Sequence, residues 1–410
     1  MGAISKLFSY FSKTPSRAAE SPACHAGAPF WYLDSPDITS SAPSDPLLVK
    51  GWIASLTPVK SIYFSKDEPI SELSITRHPR PDVEKVYGVA AVGFEAPCPL
   101  AMISGSFVTL NFENGNGTFE IIVPVPRGAP DKSRAKSEKL KKISDILHCP
   151  SCATDLQQRS SALQCSKCGE NYPADDRAYN FLTPALREEF KIVPTDNVSA
   201  NSYDGTALNL IHRHLDGLIL DCGAGLREKY YHNVVNFEIV PYDTTDVIGV
   251  GERLPFKDNS FDAVLSFAVL EHVKDPFACA KELCRVLKPG APLYCQVPFL
   301  QPLHGYPHHY YNMTQQGLEN LFEGSLDKVA SGPINFGQPI FSLSWFLGSY
   351  CAALPKREQE RFKNMRVSEL LAPGSAYLGA EFVTSVSSEG KKELSCCNYL
   401  IGIKPERINR

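Results

Sequence analysis

The sequence predicts an α/β protein: a doubly wound, parallel-sheet domain in the C-terminal half, preceded by a β-sandwich domain and a small cysteine-bounded ribbon. Three observations carry this expectation. Strand-like and helix-like segments alternate from about residue 197 nearly to the C-terminus, the pattern of a parallel sheet covered by helices. Strand-like segments recur between residues 47 and 125 with no helical period between them, as in an antiparallel sandwich. Two Cys-x-x-Cys pairs stand between these regions, at a spacing that suits a tetrahedral metal.

Composition sets the outer limits. A chain of 410 residues exceeds the size at which one core keeps growing, so two or three domains are expected. No run of eighteen apolar residues exists; the nearest, 341–354, is too short and carries Ser, Gly and Tyr, so no transmembrane segment is expected. The first thirteen residues set Leu7, Phe8 and Phe11 between Lys6 and Lys13 but lack the apolar core and cleavage site of a signal peptide. A net charge of −4 offers no broad attraction to phosphate backbones. DNA is therefore not expected as a partner, and RNA is disfavoured. Thirteen cysteines in a chain of this length point away from a disulfide framework. Cys222, Cys279, Cys284, Cys295 and Cys351 sit in apolar stretches where reduced thiols pack as small hydrophobes, which implies a reducing, cytoplasmic location.

The segments follow in order. Residues 1–45, rich in Ser, Pro and Ala, read as a loose leader. Residues 46–127 read as the β-sandwich, with strands at 48–54, 61–65, 72–76, 107–112 and 118–125. The last two flank Glu113-Asn114-Gly115-Asn116-Gly117, a hairpin turn sequence. Residues 128–143, rich in Lys, Ser and Arg, read as a solvated linker or helix. Residues 144–185 form the ribbon and 197–410 the parallel-sheet domain. Helices are expected at 342–354 and 358–371, and a final strand at 394–403.

In the ribbon, Cys149 and Cys152 are followed after twelve residues by Cys165 and Cys168. Each pair places two thiolates on one tight turn, and together they form the sulfur cage that Zn²⁺ prefers. A redox Cys-x-x-Cys is the competing reading, but it is normally a single pair at a helix start. With four protein ligands no position is left for a substrate water, so the metal is expected to be structural. The stretch from Ile146 to Leu182 resembles the small zinc-ribbon proteins that partner and activate methyltransferases, and the zinc-ribbon head of some ribosomal-RNA methyltransferases. That likeness implies a possible protein partner. It departs at Asp176-Arg177-Ala178, where the family has Asp-Gly.

The segment Leu218-Ile-Leu-Asp221-Cys-Gly223-Ala-Gly225 reads as a buried strand ending in a carboxylate and two glycines. Glycine there lets the backbone turn sharply and approach a ligand at the carboxyl edge of the sheet. A nicotinamide-binding protein could present the same turn. A second strand, 234–239, carries Glu238 seventeen positions after Asp221, where a carboxylate can accept ribose hydroxyls. A helix follows the 254–265 segment, with Asp275 as N-cap, Pro276 in the first turn and Pro289-Gly290 as the stop. The motifs LDCGAG, LPFKDNSFD, VLEHV and ELCRVLKPG, in this order, resemble the class I S-adenosylmethionine-dependent methyltransferases of the quinone-biosynthesis type. The likeness implies a Rossmann-like methyltransferase domain in which Asp221, Gly223 and Gly225 hold the methionine end of S-adenosylmethionine and Glu238 its ribose. The family's third glycine is Arg227 here, and its Asp before the LPF run is Val250, which leaves Glu252 as a substitute at the adenine. The 225–234 stretch is too short for a full crossover helix, so a stub is expected.

Two histidines are the candidate catalytic residues, His272 after the fourth strand and His304 in the Pro- and aromatic-rich loop after the fifth. A neutral imidazole can accept a proton near pH 7. The loop's spacing of Pro302, His304, Pro307, His309, Tyr311 and Thr314 resembles methyltransferases associated with cell-surface glycan synthesis. In the front domain, Gly51-Trp52, His78-Pro-Arg80-Pro81-Asp82 and Gly93-Phe94-Glu95 resemble a β-sandwich module found beside bacterial glycosyltransferases and methyltransferases. Trp52 and Arg80 could contact a sugar or could serve packing and a surface turn. The function expected is methyl transfer to a small-molecule or glycan acceptor; an RNA methyltransferase and a non-catalytic scaffold of the same fold are the alternatives.

Overall fold

The computed structural model describes residues 29–36, 43, 45–64, 75–103, 105–126, 128, 132–159, 161–175, 177–194, 199–200, 202–305, 308–327, 330–334, 337–396 and 398. They fall in two compact units: a larger one with described residues between 29 and 299 and between 308 and 334, and a smaller one with 300–305 and 337–398.

The larger unit opens with β1 (Phe30–Ser35), β2 (Leu47–Ala54), β3 (Ser61–Phe64), β4 (Thr76–Pro79), α1 (Pro81–Tyr87), β5 (Ala91–Cys98), β6 (Phe107–Asn114) and β7 (Gly117–Pro124). These pair as two antiparallel sheets, β1-β2-β5-β4 and β3-β6-β7. Val49, Ile53 and Phe94 of the first sheet and Leu110, Phe112 and Ile121 of the second belong to one buried cluster, as in two face-to-face sheets. Gly117, at φ +134°, closes the β6–β7 hairpin as the turn sequence required. Phe30–Ser35, read from sequence as part of the leader, instead pairs with β2, and its Trp31 is 2% exposed. Six residues with a single buried side chain, Trp31, carry little period of their own in Ser- and Pro-rich surroundings. The strand expected at 72–76 lies mostly outside the described residues, and β4 starts at its end.

The Lys-rich segment expected as a solvated linker forms α2 (Lys132–Ser144), and this helix is docked. Lys139 is buried: its Nζ donates to Asp246 Oδ2 at 2.8 Å and to the Val234 carbonyl, and sits 3.7 Å from the Tyr230 ring centroid. Lys136 Nζ donates to the carbonyls of Asp243 (2.9 Å) and Thr245 (2.7 Å). Composition alone makes such lysines look solvent-facing; carbonyls and one carboxylate on the opposing surface reverse that.

The ribbon follows as β8 (Leu156–Gln158), β9 (Ala162–Cys165) and β10 (Asn171–Pro173), an antiparallel sheet of order β10-β9-β8. Then come β11 (Tyr179–Asn180), α3 (Pro184–Glu189) capped by Thr183, and α4 (Gly205–Arg213) capped by Asp204. The main sheet adds β12 (Ile219–Cys222), β13 (Val234–Glu238), β14 (Val247–Ile248), β15 (Ala263–Phe267) and β16 (Leu293–Gln296), with α5 (Pro276–Val286) between the last two. Its order is β11-β14-β13-β12-β15-β16, and every pairing is parallel. Asp275 caps α5 through Ala278 N at 3.0 Å, with Pro276 in the first turn, as read from sequence.

Every residue of β12 and β15 is buried, so both faces of the sheet are covered. The covering is unusual in its source. Residues 226–233 carry no helix, not even the expected stub, and 239–246 carry none either. Leu220, Val235 and Val264 pack instead with Leu140 and Ile143 of α2, Leu147 and Phe181 of the ribbon region, and Leu283 of α5. Ile219, Val234, Ala263 and Leu265 point the other way, into a cluster with Ala207 and Ile211 of α4 and the sandwich core. The front modules thus supply apolar surface that crossover helices would otherwise supply.

The chain continues with α6 (Gln315–Leu321) in the larger unit. The smaller unit contains α7 (Pro339–Ala352), α8 (Lys356–Lys363), α9 (Glu381–Thr384) and α10 (Ser388–Glu393) around Leu354, Phe362, Phe382 and Val386. The helix expected over 358–371 ends at Lys363, and a 3₁₀ turn, Val367–Leu370, follows. Of the strand expected at 394–403, Leu394 caps α10, and 399–403 lie outside the described residues. No helix among the described residues is long and apolar enough to cross a membrane.

Candidate functional site

The carboxyl ends of β12, β13 and β15 meet at the glycine turn. Gly223 has φ +76° and Gly225 φ +62°, both in the left-handed region that disfavours side chains. A Cβ on Gly223 would lie 2.2 Å from Val269 Cγ2, in the turn after β15; one on Gly225 would lie 2.5 Å from the Ser199 carbonyl oxygen. Both glycines are therefore demanded by close approach as well as by φ.

Glu238 ends β13 beside this turn. Its Oε2 accepts from Gly225 N at 2.8 Å and its Oε1 from Ile239 N at 2.7 Å. Burial raises its carboxyl above the ordinary range. A third backbone donor, Val240 N, also reaches this carboxylate, so about one of its four lone-pair positions remains open.

Asp221 is fully buried. Its Oδ2 accepts from Tyr203 OH at 2.5 Å, Arg227 Nε at 2.8 Å and Arg227 Nη2 at 2.7 Å, whereas its Oδ1 has no hydrogen-bond partner. The Arg227 guanidinium lies 4.1 Å from the Tyr203 ring centroid and is itself buried. Sequence reading found Arg227 only as a departure from a glycine pattern, and it missed Tyr203, which no motif marks. The geometry joins them to Asp221 in one charged cluster.

Glu252 lies in the 3₁₀ turn Gly251–Arg253 and is 8% exposed. Its Oε1 accepts from Lys274 N at 3.2 Å, so it braces the approach to α5. A cleft of about 460 Å³ opens beside this brace, lined by Glu189, Phe190, Lys274, Asp275, Pro276, Phe277 and Tyr311. None of the predicted cofactor residues is among that lining.

His272 follows β15 in the larger unit. Its Nδ1 faces the His308 carbonyl at 2.7 Å, which fixes Nδ1 as the donor and makes Nε2 the ring's acceptor. Burial lowers its pKa, favouring the neutral ring. Neighbouring Glu271, the acidic residue of the VLEHV motif, is buried, and neither of its carboxylate oxygens has a hydrogen-bond partner. Burial pushes its carboxyl up to about 8. The amides of Tyr310 (2.7 Å) and Tyr311 (3.2 Å) donate to the Glu271 carbonyl, tying the 308–311 loop to this edge. His304 belongs to the smaller unit, where its Nδ1 faces the Pro302 carbonyl at 2.9 Å and its ring lies 5.2 Å from that of Trp345.

Within the sandwich, Trp52 is fully buried and packs on Tyr87 with centroids 5.4 Å apart. Arg80 makes paired hydrogen bonds to Asp82 at 2.9 and 2.8 Å. Packing and a surface turn account for both.

The Sγ atoms of Cys149, Cys152, Cys165 and Cys168 all lie within 4.8 Å of one another, with Cys149 and Cys168 at 3.7 Å. A tetrahedral site with Zn–S bonds of about 2.3 Å has sulfur edges of about 3.8 Å, so the cage fits that ion. Tyr172 OH lies 3.1 Å from Cys149 Sγ.

Residues 222–295 match a family described as a methyltransferase domain. Over this stretch the chain is similar to that family. It begins at the glycine turn and ends in β16, so the Gly223, Gly225 and Glu238 edge lies within it. Fifty-eight residues are 45% identical to an uncharacterized methyltransferase of Schizosaccharomyces pombe, covering 14% of this chain and 21% of that protein. Fifty-one are 49% identical to a demethylmenaquinone methyltransferase of Corynebacterium glutamicum, covering 12% and 22%. The chain thus spans about a fifth of the length of these curated relatives. Among solved structures, the phosphoethanolamine N-methyltransferase 2 of Haemonchus contortus in complex with S-adenosyl-L-methionine is 13% identical, over 77% of this chain and 65% of that one, with TM-score 0.25. The sandwich, the ribbon and the smaller unit lie outside the methyltransferase-domain match.

Proposed function

We propose that this chain transfers a methyl group from S-adenosylmethionine to a small-molecule or glycan acceptor. The observation that carries the reading is the pairing of the glycine turn with the second-strand carboxylate, Gly225 N to Glu238 Oε2 at 2.8 Å, at the carboxyl edge of a parallel sheet. The acceptor set suits the nucleoside: Glu238 retains acceptor capacity for a ribose hydroxyl, and the Asp221 Oδ1 atom is a buried acceptor with no partner. Asp221, Gly223, Gly225 and Glu238 would hold the donor. Glu252, which the likeness puts at the adenine, would contact that end of the donor while its Oε1 fixes the turn before α5.

When bound, S-adenosylmethionine supplies an electrophilic methyl carbon on sulfur. The acceptor's lone pair forms the new bond as the carbon–sulfur bond breaks, so the protein's task is alignment and proton removal. His272, whose Nδ1 faces the His308 carbonyl and whose Nε2 lies 3.7 Å from Glu271 Oε1, is the candidate for taking the acceptor's proton, and His304 is the second. The four-cysteine cage is assigned to structural Zn²⁺. The packing of ribbon residues against the chain's own sheet supports a role in cis for this module, with a separate protein partner a further possibility to test.

A non-catalytic scaffold is the second reading. It is favoured by the Ser199 carbonyl and the Val269 side chain, which occupy the space next to Gly225 and Gly223. The test is incubation of the purified chain with methyl-labelled S-adenosylmethionine and separate small-molecule, glycan and RNA fractions, with mass spectrometry of the product. A methylated product that is lost in Glu238→Gln supports transfer. Label incorporated only into an RNA fraction would place the acceptor in the other class.

A further inference from the structure

We infer that Arg227 is a positioning residue that orients the Asp221 carboxylate to read the ammonium of the donor's methionine end. This rests on the proposed methyl-donor site and adds a role to a residue that stands where the likeness predicted glycine.

The case begins with the asymmetry of the Asp221 carboxylate. Three donors, one from Tyr203 and two from Arg227, converge on Oδ2, and none reaches Oδ1. A buried acceptor without a protein partner is costly, and a donor on a molecule bound at the carboxyl edge of β12 would meet that cost. The guanidinium fork holds Oδ2 in a fixed plane, and because the two oxygens share one rigid group, the direction of Oδ1 is fixed with it. The Tyr203 ring under the guanidinium holds the fork in turn. A glycine at position 227 would leave the carboxylate able to rotate and to spread its charge over other partners. A lysine would supply charge without the fork.

The chemistry on offer to Oδ1 is that of a compact, multi-donor cation at an edge where Glu238 already suits a ribose. An α-ammonium meets that description. A cationic donor opposite an ionic acceptor contributes discrimination of about one to two orders of magnitude.

The experiment is isothermal titration of the full chain with S-adenosylhomocysteine and with the same thioether in which hydrogen replaces the α-ammonium. The parent is expected to bind the first at least ~30-fold more tightly than the second. In Arg227→Gln that ratio should fall below about 5, mainly through weaker binding of the ammonium-bearing ligand. Arg227→Lys should not restore it. Tyr203→Phe leaves the ion pair intact and should lower the ratio by a smaller factor, which keeps the test open if the glutamine variant does not fold. A parent that binds both ligands within threefold overturns the inference while leaving the donor site standing, as does an Arg227→Gln protein with an unchanged ratio. A parent that binds neither ligand removes the donor site, and this inference with it.

Discussion

Replacing Lys139 by Met asks whether α2 is part of the catalytic unit or a tether in front of it. The ammonium is wholly buried and donates to Asp246 Oδ2 and the Val234 carbonyl, so Met leaves a buried carboxylate without its counter-charge. Breaking a buried pair by removing one partner costs about 3–5 kcal/mol. Asp246 keeps two donors, Tyr230 OH at 2.5 Å and Asn236 N at 2.9 Å, which places the cost near the lower bound. Loss of the ammonium over the Tyr230 ring adds roughly 1 kcal/mol, giving about 4 kcal/mol in all. Urea unfolding followed by near-ultraviolet circular dichroism measures it, and Lys139→Met with Asp246→Asn should recover part of the loss by removing the stranded charge. The pH dependence has a definite sign. Burial lowers the Lys139 pKa to about 8 from 10.5, so the unfolded chain binds more protons between those values. The stability of the parent relative to the variant must therefore rise with pH across that window and be lost as pH falls through 8. A cost under 0.5 kcal/mol, together with rapid tryptic cleavage at Lys136 and Lys139 in the folded parent, would show that the helix is only a linker.

Other expected outcomes concern the site and the cage. Glu238→Gln should weaken S-adenosylhomocysteine binding by at least tenfold and lower the thermal midpoint by a few degrees without unfolding the protein, because the amide oxygen can still accept from Gly225 N while the amide nitrogen no longer accepts from Ile239 N; titration calorimetry with a melting curve checks both. Removing metal with a strong chelator should release one zinc per chain by elemental analysis. It should lower the melting point of the whole larger unit, since Cys149 and Cys165 share a buried cluster with Leu220 and Val264. Release that leaves the sheet's melting unchanged would show the ribbon to be independent. For Glu271, the folded carboxyl is raised to about 8 from 4.5, so the native state binds more protons in between and stability falls as pH rises through that range. Glu271→Gln should flatten the dependence and stabilise the protein at pH 8 by roughly 1–3 kcal/mol; an unchanged urea profile would contradict the burial argument.

What could be read from the residues was local and repetitive. The β6–β7 hairpin follows from Asn-Gly turn chemistry, the cage from two Cys-x-x-Cys pairs, α5 from its Asp275 cap, and the site edge from a buried strand ending in glycines. What could not be read depends on surfaces brought together from far along the chain. Lys136 and Lys139 look solvent-facing until the carbonyls of Val234, Asp243 and Thr245 are set against them. Phe30–Ser35 becomes a strand because β2 offers an edge. Arg227 gains meaning only when Tyr203 and Asp221 converge on it. The length of the 225–234 stretch led to the expectation of a stub helix after β12, whereas no helix forms there, and nothing local in the sequence showed that α2, α4 and the ribbon would cover the sheet in its place.

The most direct measurement is calorimetric titration of the intact chain with S-adenosylmethionine, beside Asp221→Ala and Glu238→Gln. The parent should take up one equivalent, the Asp221 variant should show no heat, and the Glu238 variant should bind at least tenfold more weakly. A parent chain that stays thermally silent at millimolar ligand while remaining folded would contradict the assignment of this sheet edge as a methyl-donor site.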